Sequence, residues 1–175
     1  MWNCLTGGNG DHHGCILADY MGLGKTLQTL ALTMCLLQSN HVKQMIVLCT
    51  KTLLGVWKDE CHNWLGNKLV PSVAFGEGKE VRATVKRFAN GQNRMLVMHY
   101  HQFTANFSEI KKANIDLLIM DEGHHLKSLK IDCVHRILSL RCRKRLLLSG
   151  TLLQNNLKEL YTLMSVVNPG ILGNP

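Results

Sequence analysis

The amino-acid sequence predicts an α/β fold, in which helices cover both faces of a mostly parallel central sheet. Short apolar runs of strand length alternate with longer segments whose apolar residues recur at helical spacing. Apolar runs without polar alternation are typical of strands buried on both faces, and helical connections between them favour parallel pairing through right-handed crossovers. The predicted strands are residues 15–18, 45–50, 70–75, 95–99, 117–120 and 146–148.

The segments between the strands predict amphipathic helices, each with one apolar face. Trp57 and Trp64 lie on the same predicted face, so we expect both to pack in the core and not to stack on nucleic-acid bases. The residues that define the apolar faces are Leu27, Leu30, Ala31, Met34 and Leu37, then Leu53, Val56, Trp57 and Trp64, then Val134, Ile137 and Leu138, and finally Leu157, Leu160, Tyr161 and Met164.

Length and composition favour one soluble globular domain over residues 1–175. The chain has 175 residues and a net charge of +8, which favours a polyanionic partner such as nucleic acid or an acidic membrane surface. No apolar segment is long enough to span a membrane, and residues 1–14 lack the basic and apolar stretches of a signal peptide. We therefore expect a protein of the cytosol or nucleus.

The cysteine pattern predicts reduced, buried thiols. The seven cysteines are an odd number, none forms a C-x-x-C pair, and most lie within apolar runs. The pairs His124 with His125 and Cys133 with His135 match no usual zinc-ligand spacing, so zinc is disfavoured.

A phosphate-binding loop is predicted at residues 18–26, between the first strand and the first long helix. Gly22 and Gly24 permit backbone N–H groups to close around phosphate oxygens, and the helix that begins near Lys25 directs its positive dipole end at the same anion. Lys25 is expected to bind the β- and γ-phosphates of a nucleotide, and the Thr26 hydroxyl to ligate Mg²⁺. The predicted nucleotide-binding residues are Asp19, Met21, Gly22, Leu23, Gly24, Lys25, Thr26 and Leu27.

Two acids end the predicted strand at residues 117–120. Asp121 is expected to hold Mg²⁺, directly or through water, and Glu122 to orient and deprotonate the attacking water. Lys25, Asp121 and Glu122 are therefore the predicted catalytic residues. A polar strand end that points to solvent is the alternative interpretation, and the nearby phosphate loop disfavours it.

Taken together, these segments resemble the SWI/SNF-type DNA translocases of helicase superfamily two. The loop resembles their first motif, D-E-M-G-L-G-K-T, and the acidic pair resembles their second motif as the recombination-repair (Rad-fifty-four) branch has it. The resemblance covers nearly the whole chain, through residues 19–28, 53–64, 121–124, 149–156, which are similar to the third motif S-G-T-P-I-Q-N, and 167–173.

The resemblance implies the first RecA-like lobe of an ATP-dependent double-stranded-DNA translocase, acting in recombinational repair or chromatin remodelling. It implies a RecA-like P-loop NTPase fold, a three-layer sandwich, with ATP and Mg²⁺ as cofactors. The implied partners are double-stranded DNA and a recombinase filament or chromatin, and the implied location is the nucleus. The residues that would couple nucleotide state to DNA grip are His124, Ser149, Gly150, Thr151 and Gln154.

DNA contacts are expected from loops at the carboxyl ends of the strands, where ligands of open α/β sheets bind. Such residues would touch phosphates, and a solvated surface role is an equal alternative for each. The basic run at residues 141–145 precedes a strand, so we expect a solvated face there and not a DNA site. The candidate DNA contacts are Lys51, Thr52, His99, Tyr100 and Lys127.

Several positions depart from the family pattern. Asp19 stands where the general loop pattern has glycine, and Tyr20, Thr50, His99 and Leu152 replace residues that the family usually has. The adenine-recognition motif and the second lobe with its arginine fingers are not evident, so we expect the chain alone to bind ATP weakly and hydrolyse it very slowly. A remnant that binds nucleotide, DNA or a partner without turnover is the alternative function. A P-loop kinase or GTPase is disfavoured.

Overall fold

The computed structural model describes residues 1–7, 14–76, 78–123, 126, 131–150 and 157–173. Within these residues the fold is a six-stranded sheet with strand order β1-β6-β5-β2-β4-β3, and every neighbouring pair is parallel. The predicted α/β fold with a parallel sheet is confirmed. The strands are β1 (Gly14–Leu17), β2 (Met45–Cys49), β3 (Ser72–Val73), β4 (Met95–His99), β5 (Leu117–Met120) and β6 (Lys144–Leu148).

The described part of the chain also contains eight helices and a 3₁₀ turn at Gly66–Lys68. None of the helices described there has the length and apolar content needed to cross a bilayer. The helices are α1 (Trp2–Leu5), α2 (Lys25–Gln38), α3 (Leu53–Leu65), α4 (Lys79–Ala89), α5 (Tyr100–Ala105), α6 (Phe107–Ile110), α7 (Ile131–Ser139) and α8 (Leu157–Val167).

The sheet separates two hydrophobic cores, which gives the fold three layers. Because successive side chains of a strand point to opposite faces, β2 contributes Ile46 and Leu48 to one core and Met45 and Val47 to the other. The first core contains buried residues of α4, α5, α7 and α8, and the second contains those of α2 and α3. The bounds of β4 and β5 coincide with the predicted runs.

The predicted strand at residues 70–75 is wrong in extent, because only Ser72 and Val73 pair with β4. Pro71 has no N–H to donate, and β3 is the last strand of the sheet, so it is paired on one side only. Val70 and Phe75 are exposed accordingly.

The predicted apolar face of α2 is also partly wrong. Leu27 is exposed, whereas the buried face includes Thr29 and Thr33 beside Leu30 and Leu37. The Thr29 hydroxyl donates to the carbonyl oxygen of Lys25 at 2.8 Å, so this polar side chain is satisfied within the helix and tolerates burial.

Trp57 and Trp64 have different environments, contrary to the prediction that both are core residues. Trp57 is 1% exposed, but Trp64 is 56% exposed and its Nε1 donates to Glu60 Oε2 at 2.8 Å. The buried stripe of α3 runs through Leu54, Trp57 and Cys61. Trp64 continues this stripe into the last turn of the helix, beyond the covered surface.

Arg145 is the exception to the predicted solvated face at residues 141–145. Arg141 and Arg143 are exposed, but Arg145 is only 4% exposed. Its guanidinium donates to the carbonyl oxygens of Val166 at 2.7 Å, Cys142 at 3.1 Å, Ile137 at 3.3 Å and Leu138 at 3.4 Å. Ile137, Leu138 and Val166 lie in the last turns of α7 and α8, where helical carbonyls lack their usual donors. The Ile137 carbonyl also accepts from the Leu140 amide at 3.3 Å. Burial lowers the pKa of Arg145.

The seven cysteines all lie within the described residues, and none of them forms a disulfide bond. Cys49, Cys61, Cys133 and Cys142 are buried as predicted, whereas Cys35 is exposed. Burial raises the pKa of Cys49, Cys61 and Cys142 to about 12, so these three stay protonated near neutral pH.

Candidate nucleotide-binding site

The candidate site lies at the carboxyl ends of three adjacent strands. The phosphate loop follows β1, Ser149 and Gly150 follow β6, and Asp121 follows β5. Leu17 pairs with Leu148, and Leu147 pairs with Met120, so the three strand ends are side by side. Ligands of parallel α/β sheets bind at this edge.

The conformation of the phosphate loop requires its two inner glycines. Gly22 and Gly24 have φ of +84° and +73°, in the left-handed region that side chains disfavour. A Cβ added at Gly22 would meet no atom within 4 Å, so the space beside it is open. Gly24 is the N-cap of α2, and the unpaired N–H groups of the first helical turn therefore face the loop.

Lys25 bridges the phosphate loop and the turn after β6. Its Nζ donates to the carbonyl oxygens of Asp19 at 2.8 Å and Tyr20 at 3.0 Å. The position of a Cβ on Gly150 would be 3.8 Å from Lys25 Nζ and 2.9 Å from Met21 Cγ. The ammonium group thus lies between the loop and Gly150. Thr26, the next residue of α2, is half-buried beside it.

Gln28 braces the phosphate loop, a role that the sequence interpretation missed. Its Nε2 donates to Asp19 Oδ2 at 3.0 Å and to the carbonyl oxygen of Leu23 at 3.1 Å. Asp19, which replaces the usual glycine, therefore has a partner within the loop. The sequence does contain a signal for this role, because Gln28 lies in the first turn of α2 and a side chain there can reach back to the preceding loop.

Asp121 is held at four points. Its Oδ2 accepts from Trp57 Nε1 at 2.8 Å, and its Oδ1 accepts from the amide of Glu122 at 2.8 Å. Its own amide donates to the Leu48 carbonyl at 2.8 Å, and its carbonyl accepts from the Tyr100 hydroxyl at 2.9 Å. The side chain is therefore fixed in one orientation at the end of β5.

Burial raises the pKa of Asp121, and this effect is opposed by the bonds from Trp57 and Glu122 and by the charge of Lys25. Since β1, β6 and β5 are neighbours in the sheet, the loop that follows β1 and the acid that follows β5 lie at the same edge. Thr26 and Asp121 offer a hydroxyl and a carboxylate oxygen. This donor set suits Mg²⁺, which prefers hard oxygen ligands and uses few protein groups beside phosphates and water.

The turn after Asp121 is tightly constrained. Glu122 has φ of +52°, which is uncommon for a residue with a side chain. A Cβ on Gly123 would lie 2.5 Å from Leu147 Cγ, so this glycine allows the turn to pack directly on β6.

Within the described residues, no group of three His, Cys, Asp or Glu side chains could hold a metal.

The start of the predicted coupling segment contacts the phosphate loop and β1. Ser149 is buried, and its amide donates to the Leu17 carbonyl at 3.0 Å. Gly150 packs against Met21, as described above. The other predicted coupling residues, His124, Thr151 and Gln154, lie outside the described residues.

The predicted DNA contacts have different environments. Lys51 and Thr52 are exposed after β2, and the Thr52 hydroxyl lies 3.0 Å from that of Thr50. His99 is half-buried and its Nδ1 accepts from the Gln102 amide at 3.3 Å, which caps α5. Lys127 lies outside the described residues.

Tyr100 corrects one of these predictions. It is 4% exposed, and its hydroxyl is occupied by the Asp121 carbonyl. Burial and the nearby Asp121 carboxylate raise its pKa well above the ordinary value for tyrosine. Because α5 begins directly after β4, this side chain turns into the core and supports the acidic turn, out of reach of a DNA backbone.

Known proteins are similar in sequence to nearly the whole of this chain. A family described as "SNF2-related domain" matches residues 2–175. The mouse protein named DNA repair and recombination protein RAD54-like is 35% identical over 99% of this chain and 25% of its own length. Human RAD54B is 36% identical over 92% of this chain and 18% of its own length. The chain thus spans a quarter or less of these relatives.

Two solved structures have the same fold as this chain. The SWI2/SNF2 ATPase core of Sulfolobus solfataricus in complex with dsDNA superimposes with a TM-score of 0.81 at 25% identity, over 99% of this chain and 35% of that one. The ATPase core domain from the same organism has the same fold, with a TM-score of 0.77. With its parallel sheet, glycine loop and strand-end carboxylate, this chain belongs to the SNF2-related domain family, and RAD54 proteins are among its relatives.

Proposed function

We propose that residues 1–175 form the ATP-binding lobe of an ATP-dependent double-stranded-DNA translocase. The observation that carries the proposal is the position of Lys25, between the glycine loop and Gly150 and at the same sheet edge as Asp121. A lysine, a glycine loop and a strand-end acid at one sheet edge are the parts that phosphoryl-transfer sites require. The similarity to RAD54 proteins favours a role in recombinational repair in the nucleus, and chromatin remodelling is the related alternative.

The triphosphate would bind at the N-terminus of α2. Backbone N–H groups of residues 22–26 and the helix dipole would attract its oxygens. The Lys25 ammonium would exchange the carbonyl oxygens of Asp19 and Tyr20 for phosphate oxygens. Gln28 would keep the loop closed through Asp19 and Leu23 while this exchange occurs.

Thr26 and Asp121 would hold Mg²⁺, which when bound offsets negative charge on the β- and γ-phosphates. Glu122 would orient the attacking water and accept its proton, since it follows the fixed Asp121 directly. Arginine fingers of a second RecA-like lobe would complete the site, and such groups contribute on the order of 10³ to 10⁵ in rate. The chain alone should therefore hydrolyse ATP slowly.

Nucleotide state would reach DNA through the turn after β6. Gly150 touches Met21 of the loop, so a change in loop conformation would move Ser149, Gly150 and the following Thr151 and Gln154. His124 would bridge from the acidic turn. DNA phosphates would contact the exposed Lys51 and Thr52, with His99 and Lys127 as further candidates, and a recombinase filament or chromatin would be the assembly on which the motor acts.

Substitution of Lys25 by alanine tests this proposal. We expect the affinity for a fluorescent ATP analogue to fall at least tenfold, because one charge-assisted contact to phosphate contributes about 1.5–3 kcal/mol. The matched control is Lys58→Ala, which removes an exposed lysine of α3 and should leave the affinity unchanged. Equal affinity of the Lys25→Ala variant and the unmodified chain would contradict the nucleotide site.

A further inference from the structure

Trp57 connects a helix of one core to the acid at the end of β5. The two residues are 64 positions apart, and the bond between Trp57 Nε1 and Asp121 Oδ2 is 2.8 Å long. The indole is 1% exposed and lies in the second turn of α3. A buried indole N–H needs a hydrogen-bond acceptor. If Trp57 only filled space in the core, any backbone carbonyl oxygen could be that acceptor. Here the acceptor is the carboxylate to which the proposed function assigns Mg²⁺.

The geometry restricts rotation of the carboxylate. One hydrogen bond would leave the group free to turn about its Cβ–Cγ bond. Asp121 has a bond at each oxygen, from the Glu122 amide to Oδ1 and from Trp57 to Oδ2. Because a carboxylate oxygen can accept more than one bond, lone pairs stay available for a cation. Trp57 is the only one of these two donors that a side-chain substitution can remove.

We propose that Trp57 is a positioning residue, whose indole N–H holds the Asp121 carboxylate in the orientation that binds Mg²⁺. This inference rests on the proposed function, because it concerns the same site. Groups that orient metal ligands through hydrogen bonds commonly contribute 10- to 100-fold to metal affinity. The effect of losing Trp57 Nε1 should therefore be on Mg²⁺, and not on the phosphate contacts of the glycine loop.

The test measures binding of a fluorescent, non-hydrolysable ATP analogue at increasing Mg²⁺ and, separately, in EDTA. We expect Trp57→Phe to raise the Mg²⁺ concentration at half-saturation about tenfold or more. Affinity in EDTA should stay unchanged, because the loop is intact. A purely structural role would instead weaken binding equally in both conditions. The matched control is Trp64→Phe, since Trp64 donates to Glu60 in solvent and should change neither value.

A second variant separates loss of the donor from loss of volume. In a chain carrying Trp2→Phe and Trp64→Phe, the remaining tryptophan can be replaced by benzothienylalanine, which keeps the ring shape but has sulfur in place of N–H. We expect the same tenfold shift in Mg²⁺ half-saturation with a thermal midpoint like that of the parent chain. A half-saturation within twofold of the parent would overturn the proposal, whatever the Phe variant does.

Asp121→Asn distinguishes failure of this inference from failure of the proposed function. If Asp121→Asn abolishes Mg²⁺ dependence while the isostere at position 57 preserves it, only the role of Trp57 is refuted. If the unmodified chain shows no Mg²⁺ dependence, or Asp121→Asn leaves it unchanged, the metal assignment itself is refuted and this inference with it.

Discussion

Glu122 combines a predicted catalytic role with an unfavourable backbone conformation. A left-handed φ of +52° costs a residue with a side chain roughly 1–2 kcal/mol relative to glycine. The turn is held in place by Asp121 on one side and by the contact of Gly123 with Leu147 on the other. Such strain persists only where the surroundings enforce it, and it is common at functional sites.

Glu122→Gly should therefore preserve or raise stability while it removes the proposed base. We expect the free energy of unfolding to stay equal or rise by up to about 1 kcal/mol, because glycine adopts positive φ without strain but gains entropy in the unfolded chain. Urea unfolding followed by circular dichroism measures this. Asn40→Gly is the matched control, since Asn40 has φ of +58° at an exposed turn away from the site. A loss above 1 kcal/mol for Glu122→Gly alone would contradict the strain argument.

At the scale of elements, Arg145 joins the carboxyl ends of α7 and α8 to β6. Its guanidinium donates to four carbonyl oxygens in the described part of the chain, and three of these lie at the negative ends of two helix dipoles. The positive charge of Arg145 is thus offset by the partial negative charges at the helix ends, whereas a buried arginine more commonly pairs with a carboxylate. The basic run at residues 141–145 therefore contains both solvated cations and a structural one.

Arg145→Met should destabilise the domain by about 3 kcal/mol or more. Methionine fills part of the volume but removes the donor to buried carbonyls such as those of Val166 and Cys142, and a buried carbonyl left without a donor costs about 1–3 kcal/mol. The urea midpoint of the variant against that of the unmodified chain measures the loss. Arg143→Met, at an exposed position two residues earlier, is expected within about 0.5 kcal/mol of the parent. Similar midpoints for both variants would show that Arg145 is not a structural link.

At the scale of the whole molecule, a group of exposed cations lies at the edge of the sheet opposite the proposed DNA contacts. Two adjoining clefts at the amino ends of the strands share Asn114 and Asp116. Helices α2, α4 and α7 end near this edge, and cations there offset the carbonyl ends of helices. The exposed basic residues that line the clefts are Lys43, Arg94, Lys111, Lys112 and Arg141. The net charge of +8 is therefore no guide to where DNA binds.

Lys51→Ala should weaken binding to a labelled DNA duplex and lower the slope of log affinity against log salt by about one. The reason is that Lys51 is exposed at the carboxyl edge of the sheet, where the proposed function places a DNA phosphate. Arg94→Ala is the control at the opposite edge and should leave the slope unchanged. Fluorescence anisotropy across salt concentrations measures both. A lower slope for Arg94→Ala and not for Lys51→Ala would place DNA at the amino edge.

Local signals in the sequence were sufficient for much of the fold. The apolar runs that became β4 and β5 were predicted at their observed bounds, because a strand buried on both faces shows no polar alternation. Gly22 and Gly24 were predicted to close a loop, and their positive φ agrees with that role. Their part in binding nucleotide stays a prediction, as does the assignment of residues 1–175 to one lobe.

Other features were missed because they depend on residues far apart in the chain. The burial of Arg145 depends on the ends of two helices, α7 and α8, that converge on its guanidinium. Tyr100 has the sequence position of a loop residue, yet the start of α5 turns it into the core. Composition and spacing do not encode which neighbour satisfies a polar group.

The sequence by itself determined the alternation of strands and helices, the glycine loop at the N-terminus of α2 and the acids after β5, since these depend on local backbone preferences and on runs of apolar residues. Only the tertiary structure decided how the acid is held. The bonds of Asp121 to Trp57 and Tyr100 and the contact of Gly150 with Met21 require strands and helices from distant parts of the chain to pack in register. Hydrogen bonds and close contacts depend on distances below about 3–4 Å, which are set by packing and not by spacing along the chain.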